Sequence, residues 1–325
     1  MEAAWIENGK VSVTEKPAPE PLEDEVLLRP LLTGICRTDA ELLQGYHGFR
    51  GIPGHEVAGV VCDANGHPRW QDARVVVEIN KGCGKCSQCR RHGPRHCPSR
   101  KVLGIRDWPG AFARYMTAPV SNLHRIPDSL SLEEAVFTEP LAAALRITQQ
   151  LHLPSSHRAL VLGDGKLGLL AALALRFFVP RLVLAGKHPE KLRIAGDQDV
   201  TTYWVEPDRE NRLVAELGRF DLVIEATGRE TGILTALECV RPQGTLVLKT
   251  TSHRPSTLPL ARAVVDEIHI VGSRCGDFRP ALVFLENRWV NVHPLVEAVY
   301  PLEGFPDALE HARRPGALKV LVRMD

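Results

Sequence analysis

From Met1 to about Phe137 the apolar residues come in short runs, VSVTEK, EVLLRPLLTG, HEVAGVVC, ARVVVEIN and FARYMTAP, with proline or glycine never far away. Two-residue alternation with frequent breakers predicts short strands joined by irregular loops, so this stretch reads as a β-rich domain. The texture changes at Thr138-Glu139-Pro140, where proline suits a first helical turn and good helix formers follow in LAAALRITQQL. Beyond it, near-continuous apolar strands (ALVLG, RLVLAG, FDLVIEATG, GTLVLKTT, IHIVGS) alternate with helical segments (KLGLLAALALRFF, PEKLRIAG, TGILTALECV). Strands apolar on both faces and separated by helices predict a doubly wound parallel sheet. The alternation stops after Gly272. The expected organisation is therefore α/β, with a β-rich domain over residues 1–137, a nucleotide-binding type of sheet over 138–275, and a return to the first domain over 276–325.

Composition narrows the partners more than the fold. A chain of 325 residues with 44% hydrophobic content is long enough for about two packed domains. Lys plus Arg number 40 against 39 Asp plus Glu, so a net charge of +1 gives no electrostatic case for nucleic acid or an anionic membrane. No apolar run approaches the roughly 20 residues of a bilayer span, and the N-terminus lacks a charged-then-apolar leader. A cytoplasmic, reducing location is expected.

That expectation bears on the cysteines. Four of the eight lie within fifteen residues, as Cys83, Cys86, Cys89 and Cys97 in GCGKCSQCRRHGPRHC. Thiolates two residues apart can converge on one tetrahedral zinc, whereas pairwise bridges across such short loops would be strained. Four thiolates leave no open coordination position, so residues 81–101 are expected to form a structural zinc lobe. Its seven Lys or Arg residues, unopposed by any acid, read as a solvated face once the four thiolates and the ion are counted. The chemistry must be sought elsewhere.

A second motif opens the helix after the strand ALVL. Gly163-Asp164-Gly165-Lys166-Leu167-Gly168 is a G-x-G-x-x-G in strand-to-helix context. There the first glycine makes the turn, the second admits a pyrophosphate to the backbone, and the third allows close helix packing. The next strand ends in Gly186-Lys187-His188, with no acid to bind a ribose 2′-hydroxyl. Glycine there leaves room for a bulkier group and Lys187 offers a cation, so NADP(H) is expected over NAD(H).

In the first domain, Gly34-Ile35-Cys36-Arg37-Thr38-Asp39 and Gly54-His55-Glu56-Val57-Ala58-Gly59 supply a thiol and an imidazole flanked by glycines. Each alone is ambiguous, since a single Cys is usually a small hydrophobe and a single His an ordinary hydrogen-bonding group. Together with the cysteine lobe, TEPLA and the dinucleotide cradle, they make the chain resemble the zinc-dependent alcohol and polyol dehydrogenases of the medium-chain dehydrogenase/reductase family. The resemblance runs nearly from end to end. It implies a GroES-like catalytic domain joined to a Rossmann domain, and two zinc ions per chain.

The resemblance also implies Cys36, His55 and Glu139 as ligands of a catalytic zinc, with Glu56 as an alternate ligand or supporting carboxylate. Thr38 would begin a proton relay, Arg37 would meet the cofactor pyrophosphate, and Glu41 stands where many relatives end the relay with histidine. Gly163, Gly165, Lys166, Leu167, Gly168, Gly186, Lys187 and His188 would bind the cofactor. The implied reaction moves hydride between NADP(H) and a secondary alcohol, polyol or sugar. A primary alcohol or aldehyde reductase, and a non-catalytic NADPH-binding protein, are the alternatives. The implied assembly is a homodimer or homotetramer.

Overall fold

The computed structural model describes residues 1–206, 209, 212–251 and 257–324. It divides into two compact units, one of residues 1–139, 281–287 and 292–325, the other of residues 140–280 and 288–291. The helix Thr138–Gln150 spans the division, its first two residues in the first unit.

The first unit is built on a seven-stranded sheet in the order Leu123–Arg125, Arg74–Val77, Glu56–Asp63, Glu25–Gly34, Lys319–Arg323, Val296–Pro301, with Met116–Pro119 also paired to Glu25–Gly34. The alternating runs of the sequence supply four of these strands. Two others, Val296–Pro301 and Lys319–Arg323, come from the far end of the chain, and in the latter Val320, Leu321 and Val322 have no exposed surface. Burying each such side chain is worth roughly 1.5–3 kcal/mol, enough to hold this strand inside the sheet. Its register sets Leu321 opposite Gly34, while Gly34 on its other side faces Glu56. Three stretches distant in sequence thus meet at Gly34. Beneath them Ile6, Ile35, Leu42, Phe112, Phe305 and Val320 share one core cluster, with the Phe112 and Phe305 rings 4.5 Å apart.

The second unit holds six parallel strands in the order Thr201–Trp204, Arg181–Gly186, Arg158–Leu162, Phe220–Glu225, Val240–Leu248, His269–Gly272. Numbered along the chain this is 3-2-1-4-5-6, the Rossmann order, whose direction reverses between the first and fourth strands. The helix Lys166–Leu175 is buried from Gly168 through Leu175. A helix apolar on every side belongs in the interior, and here it packs beneath the glycine-rich turn.

Candidate functional site

The first site grows out of the meeting at Gly34. Cys36 follows the Glu25–Gly34 strand and precedes the short helix Arg37–Leu43. His55 immediately precedes the Glu56–Asp63 strand, reached through Gly54 at φ +102°, a left-handed conformation that a β-carbon would strain. One donor atom from each of Cys36, His55 and Glu56 lies within 4.8 Å of the others. A β-carbon on Gly34 would fall 2.3 Å from Glu56 Oε2, so glycine there is what lets the carboxylate reach this place.

Two further charged residues complete the pocket. Asp39, fully buried, accepts the Cys36 amide at 2.8 Å and the Gly54 amide at 3.2 Å, and its Oδ1 lies 3.6 Å from His55 Nδ1. One carboxylate thereby fixes the backbone on both sides of the cluster, and its charge acts on the nearby imidazole. Lys319, 2% exposed, donates through Nζ to Glu56 Oε2 and to the Ile35 carbonyl at 3.4 Å.

Burial works against the charged form of both His55 and Lys319, yet both are held above their ordinary values by surrounding anions. For His55 these are Asp39 and Cys36, and for Lys319 they are Glu56, Cys36 and then Glu139. A divalent cation bound here would take the His55 proton's place and claim Cys36 as thiolate. A sulfur, an imidazole and a carboxylate are also a zinc donor set.

The remaining expected residues fall at different distances. Glu139 is half-buried at the start of its helix; its charge acts on Lys319, but its carboxylate is outside the group that lies within 4.8 Å. Thr38 Oγ1 lies 3.8 Å from Cys36 Sγ. Arg37 and Glu41 face each other on one helix turn at 3.4 Å, with Arg37 largely exposed. Asp39 and Lys319 were not anticipated. The first had a local signal, an acid three residues after Cys36 at a helix start; the second, 263 residues from Glu56, had none.

In the lobe the four cysteine sulfurs also lie within 4.8 Å of one another, and all are free thiols. Cys86 Sγ and Cys97 Sγ are 3.9 Å apart, close to the roughly 3.8 Å edge of a tetrahedron with zinc–sulfur bonds of about 2.3 Å. The Cys83 amide points to Cys97 Sγ and the Cys89 amide to Cys86 Sγ, both at 3.4 Å, contacts that stabilise thiolates. The amides of Cys86 and Lys85 draw the Cys83 thiol down to about 6, while burial and then the neighbouring thiols push Cys89 up to about 12. One thiolate is thus ready near neutrality, and the others would yield protons to a bound ion.

The second unit carries the nucleotide-type cradle at its switch point. A β-carbon on Gly163, φ +115°, would strike the Ala226 carbonyl at 2.6 Å, and one on Gly168 would strike the Gly163 carbonyl. At Gly165 it would meet nothing within 4 Å, so this glycine opens onto free space at the start of the helix that Lys166 and Leu167 begin. That is the close approach an anionic diphosphate needs at a helix N-terminus. Lys187 and His188 follow the Arg181–Gly186 strand as expected, each partly exposed. The room anticipated at Gly186 is already filled: a β-carbon there would lie 2.5 Å from Asp164 Cβ and Oδ2.

Residues 22–128 match the alcohol dehydrogenase GroES-like domain and residues 166–297 match the zinc-binding dehydrogenase domain. The chain belongs to the zinc-dependent medium-chain dehydrogenase/reductase family. Within that family it is 29% identical over 316 residues to D-arabinitol dehydrogenase 1 of Uromyces fabae, covering 92% of this chain and 90% of that one. It is 27% identical over 329 residues to a sorbitol dehydrogenase of Halalkalibacterium halodurans, covering 97% and 96%. The alcohol dehydrogenase TADH from Thermus sp. ATN1 superposes with a TM-score of 0.89 at 28% identity over all of both chains. A structure from Sinorhizobium meliloti 1021 with bound NADP superposes at 0.90 with 26% identity over 99% of each.

Lys319→Met leaves Glu56 buried beside Cys36 without its cation, a change expected to cost about 3 kcal/mol. Because a divalent ion would replace the missing charge, zinc added to metal-stripped protein should raise the melting temperature more in the variant than in the wild type. Equal zinc-induced shifts in the two proteins would contradict this account of the pocket.

Proposed function

We propose that the protein is a zinc-dependent dehydrogenase that moves hydride between NADP(H) and a secondary alcohol, polyol or sugar. The observation that carries the reading is the convergence of Cys36, His55 and a buried carboxylate in a chain that also holds an open glycine cradle at a Rossmann switch point. The relatives support the substrate class, since those it resembles over nearly their whole length are named for arabinitol, xylulose and sorbitol. The NADP carried by the Sinorhizobium structure, together with Lys187, favours the phosphorylated cofactor.

When bound, zinc would polarise the substrate oxygen and nicotinamide would exchange the hydride. Cys36 and His55 would hold the metal, with Glu139 as the third ligand and Glu56 as the neighbouring carboxylate. Asp39 keeps His55 turned toward Cys36 by bonding the backbone on either side. Lys319 takes one oxygen of Glu56 and offsets its charge. Thr38 places a hydroxyl beside Cys36, where it can pass on a substrate proton. Glu41, held by Arg37 at 3.4 Å, would complete the exit of that proton only through water. Cys83, Cys86, Cys89 and Cys97 would close around a second zinc that rigidifies the lobe. No helix among the described residues is long and apolar enough to cross a membrane.

We further read the assembly as a homodimer or homotetramer that forms through the edge strand His269–Gly272. Ile270 on that strand is 37% exposed, and nearby on the chain Val264 and Val265 are 75% and 79% exposed. A bare strand edge beside apolar side chains is a pairing surface for a second copy.

Steady-state assays across polyols, sugars and simple alcohols should give kcat/KM at least about tenfold higher with NADP+ than with NAD+, and a preference for NAD+ would overturn the cofactor assignment. Native mass spectrometry should count two zinc ions per chain, and one in Cys36→Ser with turnover lost; unchanged turnover in Cys36→Ser would end the enzymatic reading. Ile270→Lys should sediment at the monomer mass where the wild type sediments as a dimer or larger, and an unchanged mass would remove this edge from the interface.

A further inference from the structure

The end of the Arg181–Gly186 strand carries no acid of its own, but the fold delivers one. Asp164, the variable residue between the first two glycines of the cradle, is 7% exposed and lies under Gly186. Its Oδ2 accepts the His188 amide at 2.7 Å, and His188 Nδ1 stands 3.0 Å from both carboxylate oxygens. The turn is pinned from its other side as well. Trp204 Nε1 donates to the Lys187 carbonyl at 3.3 Å, and the Val205 amide donates to the Gly186 carbonyl at 2.7 Å.

In most Rossmann folds an acid near this strand end receives the ribose hydroxyls and excludes a 2′-phosphate. Asp164 is directed differently. Both oxygens are occupied by one residue, and the carboxylate is sunk beneath the backbone rather than presented outward. Facing an acceptor, Nδ1 serves as the donor, so the imidazole is held with Nε2 as its open end, and the His188 side chain remains 42% exposed. Lys187 precedes it on the same pinned turn. Lys187 and His188 are consecutive residues at the ribose end of the cradle, and an ammonium together with an imidazole ring whose Nε2 carries a proton would suit a dianionic phosphate.

We propose that Asp164 is a positioning residue for cofactor selectivity: it orients His188 so that His188 and Lys187 together grip the 2′-phosphate of NADP(H). The assignment rests on the NADP(H) reading given above. It also explains Gly186, because any side chain there would push Asp164 out of its place and unseat His188.

Binding of NADPH, NADH and adenosine 2′,5′-bisphosphate to the zinc-loaded protein, measured by calorimetry, separates the possibilities. The wild type and Lys187→Ala test the underlying reading, which falls if the wild type binds NADH more tightly than NADPH. The inference itself is tested by Asp164→Asn, His188→Ala and the double variant. Each single change should weaken NADPH and the bisphosphate about tenfold while the NADH affinity moves less than about twofold. The double variant should lose no more than His188→Ala alone, because Asp164 acts through that ring. Gly186→Ala should reproduce the loss without touching either side chain, and His188→Ala, at a partly exposed position, keeps the test valid should Asp164→Asn fold poorly. The inference is overturned if the two single effects add, if Asp164→Asn weakens both cofactors equally, or if it weakens NADH alone, which would make Asp164 a direct ribose ligand.

Discussion

Charge balance in a buried pocket is the constraint on which the first unit depends. Asp39 and Glu56 are almost completely withdrawn from water, Cys36 adds a thiol that metal binding would ionise, and the buried ammonium of Lys319 faces them. Isolated charges at such depth would each cost several kcal/mol. Asp39 meets that cost with two backbone amides and Glu56 meets it with Lys319. What remains is a sulfur, an imidazole and a carboxylate facing one another. The glycines at 34 and 54 follow from this crowding. The first makes room for Glu56, and the second supplies a left-handed backbone that brings His55 into the group.

The second unit solves the opposite problem, keeping space open rather than filling it. Gly163 and Gly168 are set by close backbone approach, whereas Gly165 faces nothing. A buried helix begins directly behind that gap, so its unsatisfied amides and dipole meet whatever anion enters. Asp164, in the same six-residue stretch, faces the other way and works on the neighbouring turn. One short segment therefore carries both the open glycine turn and the acid that pins the neighbouring turn.

Features with local causes could be read directly from the sequence. Strand and helix periodicity predicted the parallel sheet, and the spacing of Cys83, Cys86, Cys89 and Cys97 anticipated a cluster whose sulfurs do converge. Cys36 and His55 were individually ambiguous, and only the resemblance singled them out. What could not be read were partnerships that depend on strand register. Lys319 reaches Glu56 because Leu321 pairs with Gly34, and a slip of one residue would turn its side chain to the other face. Asp164 was passed over because a motif states where glycine is needed and says nothing of the residue between. Glu56 illustrates the same point from the other side: resemblance ranked Glu139 ahead of it, yet it is Glu56 that lies within 4.8 Å of Cys36 and His55.

The measurement that bears most directly on this account is an anomalous difference map collected at the zinc absorption edge from crystals of the zinc-loaded protein. The account predicts two peaks per chain, one enclosed by Cys36, His55 and a carboxylate and the other by the four cysteines of the lobe. A single peak in the lobe, with Cys36, His55, Glu56 and Lys319 packed as a closed ionic cluster, would contradict it.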